Sequence, residues 1–232
     1  MTQILKSTWQ PIVVATVVIA LITIATRLFN LDMLISGFFY SVEHKFPLKN
    51  DLLVRFFYRS INVSVAVSIL FFIGFAIAAM IKKPVRKHNR LVLALFISIV
   101  IGPGLIVNSV FKENFGRPRP SQSIEFGGKH ESKAVLEANW GNYGKSFASG
   151  HAAVPLAFLV LAFAACRRGK DKLAKRLAFG IVAWYLFVSY ARVAAGGHHF
   201  TDVAWGGYFS FVCAWLSYIL IESRGKTPDI KS

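Results

Sequence analysis

The sequence predicts an all-α integral membrane protein, with six transmembrane helices in one bundle. Three observations carry that reading. Hydrophobic residues make up 55% of the 232 residues and the mean hydropathy is +0.51. Charged residues are only 16%, against roughly 25% in soluble domains. The cations behind a net charge of +16 crowd short connections between apolar stretches. The first two exclude a disordered chain, which needs low hydrophobicity, and argue against a soluble globular one. The third gives the positive charge a topological cause, so nucleic acid is not an expected partner. The length suits one domain over residues 1–232.

A spanning helix needs about 20 mostly apolar residues, and six stretches meet or approach that. They run over 11–29, 60–81, 91–111, 149–166, 177–191 and 203–221. Lys6 before the first gives it the outline of a leader. The stretch is long, however, and ends without a small-residue cleavage site, so it is expected to stay as a span. Residues 31–40 read as a short amphipathic piece at the interface. The fifth stretch is short unless it extends to either side.

The charges give the spans a sidedness. Lys82, Lys83, Arg86, Lys87 and Arg90 fill the second-to-third connection. Arg167, Arg168, Lys170, Lys172, Lys175 and Arg176 fill the fourth-to-fifth, and Arg224, Lys226 and Lys231 follow the sixth. With Lys6, this side holds 15 of the 27 Lys and Arg. The positive-inside rule makes it cytoplasmic, with both termini. Residues 30–59, 112–148 and 192–202 then face outward. The two cysteines, Cys166 and Cys213, lie in apolar runs with no metal-ligand or disulfide pattern.

Three motifs fall on that outer face. The first runs Lys112-Glu-Asn-Phe-Gly-Arg117-Pro-Arg119-Pro120. Arg offers a planar fork to a phosphate and Lys a point charge. The competing reading is an interfacial anchor that snorkels to headgroups. The second is Ser146-Phe-Ala-Ser149-Gly150-His151, before the fourth span. A helix N-terminus exposes free N–H groups and a positive dipole end. Ser149 is a fair cap, Gly150 permits close approach to the backbone, and His151 can exchange a proton. An ordinary cap with an interfacial histidine is the plainer alternative. Pro155 removes one helical N–H and is expected to kink the span.

The third motif runs from Arg192 through Gly196-Gly197-His198-His199 to Asp202. An Asp that accepts from one ring nitrogen leaves the other free as base or nucleophile. His198 lies four before Asp202, and His199, three before, is its rival. A His-His-x-x-Asp array is also a possible metal-ligand set. Ionisable clusters at a membrane boundary are functional by default. Cations, a helix N-terminus, two histidines and a carboxylate together suit a tetrahedral dianion, held by cations without a divalent metal. They also suit phosphoryl transfer to a histidine.

At these residues the sequence resembles the type 2 phosphatidic acid phosphatase family. Its pattern is Lys-x6-Arg-Pro, Pro-Ser-Gly-His, then Ser-Arg-x5-His-x3-Asp. The first matches fully at Lys112 to Arg119-Pro120. The second has Ala148 for Pro and the third Ala191 for Ser. The resemblance implies that His198 is the nucleophile and that Asp202 orients it. It implies His151 as the acid that protonates the leaving oxygen, then the base that activates water. Lys112, Arg119 and Arg192 would hold the phosphoryl oxygens, with Ser149 and the Gly150 amide completing the cradle. No metal or cofactor is implied.

The resemblance also implies a lipid phosphate substrate and a bacterial inner-membrane location with a periplasmic site. The compact size and the Ile-Glu-Phe-Gly-Gly loop look most like the bacterial lipid A phosphatases. Undecaprenyl diphosphate and phosphatidylglycerophosphate are the alternative substrates. Glu125, Lys129, His130, Glu131, Lys133 and Trp140 are candidate headgroup contacts in the loop over 121–145. A lipid-to-lipid phosphotransferase would use the same groups. A lipid transporter would need polar residues within the spans, where Asn62 and Asn108 are among the few.

Overall fold

The computed structural model describes residues 9–137, 140 and 144–222. Lys6 and the tail cations Arg224, Lys226 and Lys231 lie outside them. Among the described residues there are eight α-helices: α1 (Gln10–Phe29), α2 (Leu31–Phe38), α3 (Leu52–Ile81), α4 (Asn89–Ile99), α5 (Gly150–Ala157), α6 (Leu159–Arg167), α7 (Asp171–Ala194) and α8 (Phe200–Ser217). Among the described residues six segments are long and apolar enough to cross a membrane. They are α1, α3, Lys83–Lys112, Gly150–Arg167, α7 and Phe200–Ile221, so the six-helix expectation holds.

The boundaries that moved did so for local reasons. The second span begins at Leu52, eight residues before the apolar run. The Asp51 carboxylate caps it by accepting from the amides of Leu53 and Val54 at 2.9 and 3.2 Å. Its 30 residues make a helix of about 45 Å, longer than a hydrocarbon core of about 30 Å. The polar turn with Arg55 and Arg59 thus projects past the apolar body. The fifth span extends at both ends, to Asp171 and Ala194.

The third span changes character at its middle. After Ile99 it continues as a π-helix over Val100–Lys112, with Pro103 inside. Asn108 Nδ2 donates to the Pro103 carbonyl at 2.6 Å, and Ser109 Oγ to Gly104 at 3.3 Å. Such wide turns recur at functional sites, and this one ends on Lys112. The fourth span breaks at Phe158, three residues past Pro155, where the Phe158 amide turns back to the Pro155 carbonyl at 3.0 Å. A proline inside a helix removes a bond from the ladder, and the break divides α5 from α6.

Helix α5 is the axis of the bundle. Its Gly150, Ala152, Ala153, Val154, Leu156 and Ala157 are all buried. Ala152 packs with Val193 and Val203, and Val154 with Ile61 and Val188. Small side chains let neighbouring helices approach closely. Val13, Val17 and Leu21 on α1, and Leu70, Ile73 and Met80 on α3, are exposed, as surfaces that meet lipid must be. One end of the bundle gathers the ends of α1, the third span and α7 with the starts of α3, α5 and α8. The three sequence motifs meet there.

Candidate active site

His198 follows the end of α7, where the Gly197 and His198 amides both donate to the Arg192 carbonyl at 3.0 and 3.2 Å. Its ring is 2% exposed. Nδ1 lies 2.7 Å from the Ser146 carbonyl oxygen. A carbonyl only accepts, so the proton sits on Nδ1 and the lone pair on Nε2. Burial, reinforced by the Arg192 and Arg119 charges, pushes His198 well below the usual imidazole range. The ring is therefore neutral at pH 7, with an unprotonated nitrogen.

Asp202 is not the direct partner of that ring. Its nearest oxygen, Oδ2, is 4.0 Å from His198 Nδ1. Oδ2 instead accepts from Ser146 Oγ at 2.5 Å and from the His199 amide at 2.8 Å. Oδ1 accepts from Arg117 Nη1 at 2.6 Å. Ser146 thus stands between carboxylate and imidazole, its hydroxyl on one and its carbonyl on the other. The sequence marked Ser146 only as part of a motif. Its contribution through a backbone carbonyl has no residue-type signature.

Arg117 reads from sequence as a third phosphate-seeking cation, but it is 1% exposed and fully engaged. Nη2 pairs with Asp32 Oδ2 at 2.7 Å and Nη1 with Asp202 at 2.6 Å. Nη1 also donates to Thr201 Oγ1 at 2.9 Å, and Nε to the Lys133 carbonyl at 3.0 Å. Burial opposes these charges. The Arg117–Asp32 attraction wins, holding Asp32 below the usual carboxylate range, while Asp202 and Asp32 hold Arg117 above its own. Asp32, on α2, escaped the sequence reading. Its one signal is an acid inside an apolar amphipathic segment.

The expected cations act on the two histidines of the site. Arg119 and Arg192 both act electrostatically on His198, and with Lys112 they act on His151. Lys112 Nζ donates to Asn108 Oδ1 at 3.4 Å. Ser149 caps α5, accepting from the Ala152 amide, and its own amide donates to the Asp202 carbonyl at 2.9 Å. A Cβ on Gly150 would lie 2.3 Å from Asn108 Oδ1, so this glycine makes room first for Asn108. His151 is half-buried with no hydrogen-bond partner on Nε2.

Tyr58, on α3, is a second residue the sequence did not mark. Its ring stacks on His151 with centroids 4.5 Å apart, and the Arg192 guanidinium lies 4.9 Å from its centroid. One aromatic ring thereby orients an imidazole and a guanidinium together. A cavity of about 410 Å³ opens here, lined by Tyr58, Arg119, Arg192 and Gly197.

His199 feels a different set of charges, those of Arg117, Asp202 and Asp32. Its ring is buried, and burial with the Arg117 charge pushes it below the usual range. Among the described residues no three His, Cys, Asp or Glu side chains are grouped as metal ligands. Three of the loop candidates make contacts of their own. Glu125 accepts from Ser132 Oγ at 2.6 Å, Lys133 pairs with Glu137 at 3.1 Å, and Trp140 meets the Phe115 ring edge-on. Glu125 and Lys133 line a separate cavity of about 740 Å³ beside Asp32, which the cation cluster does not border.

The sequence that builds this end of the bundle matches a known family. The model of the PAP2 superfamily matches residues 87–226, which include all three motifs. The chain belongs to the PAP2 superfamily. It is 30% identical over 202 residues to a lipid A 4'-phosphatase of Francisella tularensis subsp. novicida, covering 84% of this chain and 88% of that protein. Lipid A 4'-phosphatases of Rhizobium leguminosarum and Rhizobium etli are 34% and 33% identical over 129 residues. Those matches cover 55% of this chain and 53% and 48% of theirs. No solved structure matches. Membership in the PAP2 superfamily and the six apolar spans among the described residues make the chain a multi-pass membrane protein of that superfamily.

Proposed function

We propose that this PAP2 protein removes a phosphate from lipid A through a phosphohistidine intermediate, without a metal. The observation that carries the mechanism is the 2.7 Å contact from His198 Nδ1 to the Ser146 carbonyl. It leaves Nε2 unprotonated beside Arg119 and Arg192. The likeness to the Francisella lipid A 4'-phosphatase over 84% of the chain supports the substrate.

In the first step Nε2 of His198 attacks phosphorus and the bond to the lipid oxygen breaks. His151 gives that oxygen a proton. Lys112, Arg119 and Arg192 hold the three remaining phosphoryl oxygens, where charge complementarity lowers the barrier. The Ser149 hydroxyl and Gly150 amide complete the cradle. Neutral His151 then takes a proton from water, whose oxygen attacks phosphorus and releases orthophosphate and free His198. Asp202 acts through Ser146, favouring the cationic ring of the intermediate. The substrate keeps its acyl chains in the bilayer and presents its headgroup to the end of the bundle where the motifs meet. The positive-inside distribution supports a periplasmic position for that end in a bacterial inner membrane, with cytoplasmic termini.

The test is phosphate release by purified wild type and His198→Ala, with chelator present. The substrates are lipid A, undecaprenyl diphosphate, phosphatidylglycerophosphate and phosphatidic acid. Release from lipid A that is lost in the variant is expected. Release from another lipid alone overturns the substrate, and full activity in the variant overturns the nucleophile. A requirement for a divalent ion overturns the metal-free mechanism.

A further inference from the structure

The cavity at Tyr58, the ring that stacks on His151, has lining residues that the phosphoryl cradle does not use. Besides Arg119 and Arg192 it is lined by Lys49, Arg55 and Arg59. Five cations and no carboxylate therefore face one space of about 410 Å³, within the roughly 300–1,000 Å³ range of small-molecule sites. Asp51, the acid between Lys49 and Arg55 in sequence, is taken up in capping α3. Among the described residues no ion pair engages Lys49, Arg55 or Arg59.

Two features separate these residues from ordinary interfacial anchors. Positions 55, 58 and 59 share one face of α3, since residues three and four apart are helical neighbours. The stacking of Tyr58 on His151 turns that face toward the reaction site. The charge balance points the same way. One phosphoryl group, at most a dianion, is already matched by Lys112, Arg119 and Arg192. Lys49, Arg55 and Arg59 have no counter-charge from it, and like charges around one cavity repel until an anion enters.

We infer that Lys49, Arg55 and Arg59 form a second anion subsite, which holds another anionic group of the same substrate molecule. The preferred substrate is then a lipid headgroup bearing two anionic groups, one cleaved and one held. This inference deepens the lipid phosphatase reading and rests on it for the first group. The same cations would also attract headgroups of the surrounding anionic lipid, so the test separates the two sources.

Two assays of Arg55→Gln/Arg59→Gln decide it, both in neutral detergent. In the first, kcat/KM is measured on lipid A carrying two phosphates and on lipid A carrying only the phosphate to be cleaved. The preference of wild type for the former should fall at least about tenfold, the weight of one charge-assisted hydrogen bond. An unchanged ratio overturns the subsite, because general charge steering weakens both substrates alike. A fall that appears only when phosphatidylglycerol is added assigns the cations to bulk lipid and also overturns it.

The second assay needs no turnover. The melting temperature is followed with butyl phosphate, butane-1,4-diol bisphosphate and hexane-1,6-diol bisphosphate. At least one bisphosphate should stabilise wild type more than butyl phosphate, with the difference lost in the variant. Equal shifts for all three overturn the subsite. The expected shifts without hydrolysis of either lipid A would keep the subsite and discard lipid A as substrate.

Discussion

His198 Nδ1 lies 2.7 Å from the Ser146 carbonyl and 4.0 Å from the nearest oxygen of Asp202. The backbone, not the carboxylate, fixes the tautomer of the imidazole. This separates two functions that a direct Asp–His pair combines. Where a carboxylate itself holds the ring, its amide variant leaves the wrong tautomer and costs roughly 10⁴-fold in kcat. Asp202→Asn in this protein should cost distinctly less, because Ser146 still accepts from Nδ1. His198→Ala should abolish turnover. Single-turnover rates of the two variants check the order, and equal losses would mean that Asp202 engages the ring directly during reaction.

Much of the candidate site was legible in sequence because cations, histidines and a Ser-Gly pair are rare at apolar span ends. Lys112, Arg119, His151, Arg192 and His198 do converge at one end of the bundle. What sequence could not show depends on pairing across long separations. Asp32 and Arg117 are 85 residues apart, and neither announces the other. Arg117 therefore reads as a ligand when it is a buried strut. Tyr58 belongs to a polar turn that hydropathy assigns to a loop, although Asp51 extends the helix to include it. The six spans were legible because apolar length is a direct physical requirement of the bilayer.

The strut has a measurable weight. Asp32 and Arg117 are both buried, at 4% and 1% exposure, and breaking such a pair costs about 3–5 kcal/mol because it strands a charge. Asp32→Ala should lower the melting temperature in detergent markedly. It also removes the acceptors of the Thr201 amide and hydroxyl, at 2.9 and 2.5 Å. Asp32→Asn keeps a carbonyl for those donors and should lose less. Comparable melting temperatures for wild type and both variants would show that Asp202 alone satisfies Arg117.

The buried, cation-flanked position of His198 has a consequence for pH. Its folded value lies below the unfolded one, because burial and then Arg192 and Arg119 disfavour its charged form. The fold thus favours the neutral ring. Its stability contribution is present above the unfolded imidazole value of about 6.5 and is lost as pH falls toward the lower folded value. The acid limb of kcat/KM set by this ring should likewise fall below the ordinary imidazole range. Arg119→Gln removes one repelling charge and should move that limb upward. The substrate's own ionisation is common to both proteins, so an unmoved limb would mean that Arg119 does not act on the ring.

Gly196 and Gly197 are adjacent, and the fold demands different things of each. Gly196 has φ +63°, and a Cβ there would lie 2.5 Å from the Phe46 ring. Gly196→Ala adds a left-handed penalty of about 1–2 kcal/mol to a collision with a packed ring, so it should lower the melting temperature. A Cβ on Gly197 would lie 2.5 Å from Arg192 Nη2, the mobile end of a long side chain. Gly197→Ala should therefore displace the guanidinium from the proposed phosphoryl site and from Tyr58 while leaving the fold intact. Its kcat/KM should fall with little change in melting temperature. Thermal melts and kinetics on the pair read this directly. A Gly197→Ala variant with full activity would mean that Arg192 has another rotamer that reaches the phosphate.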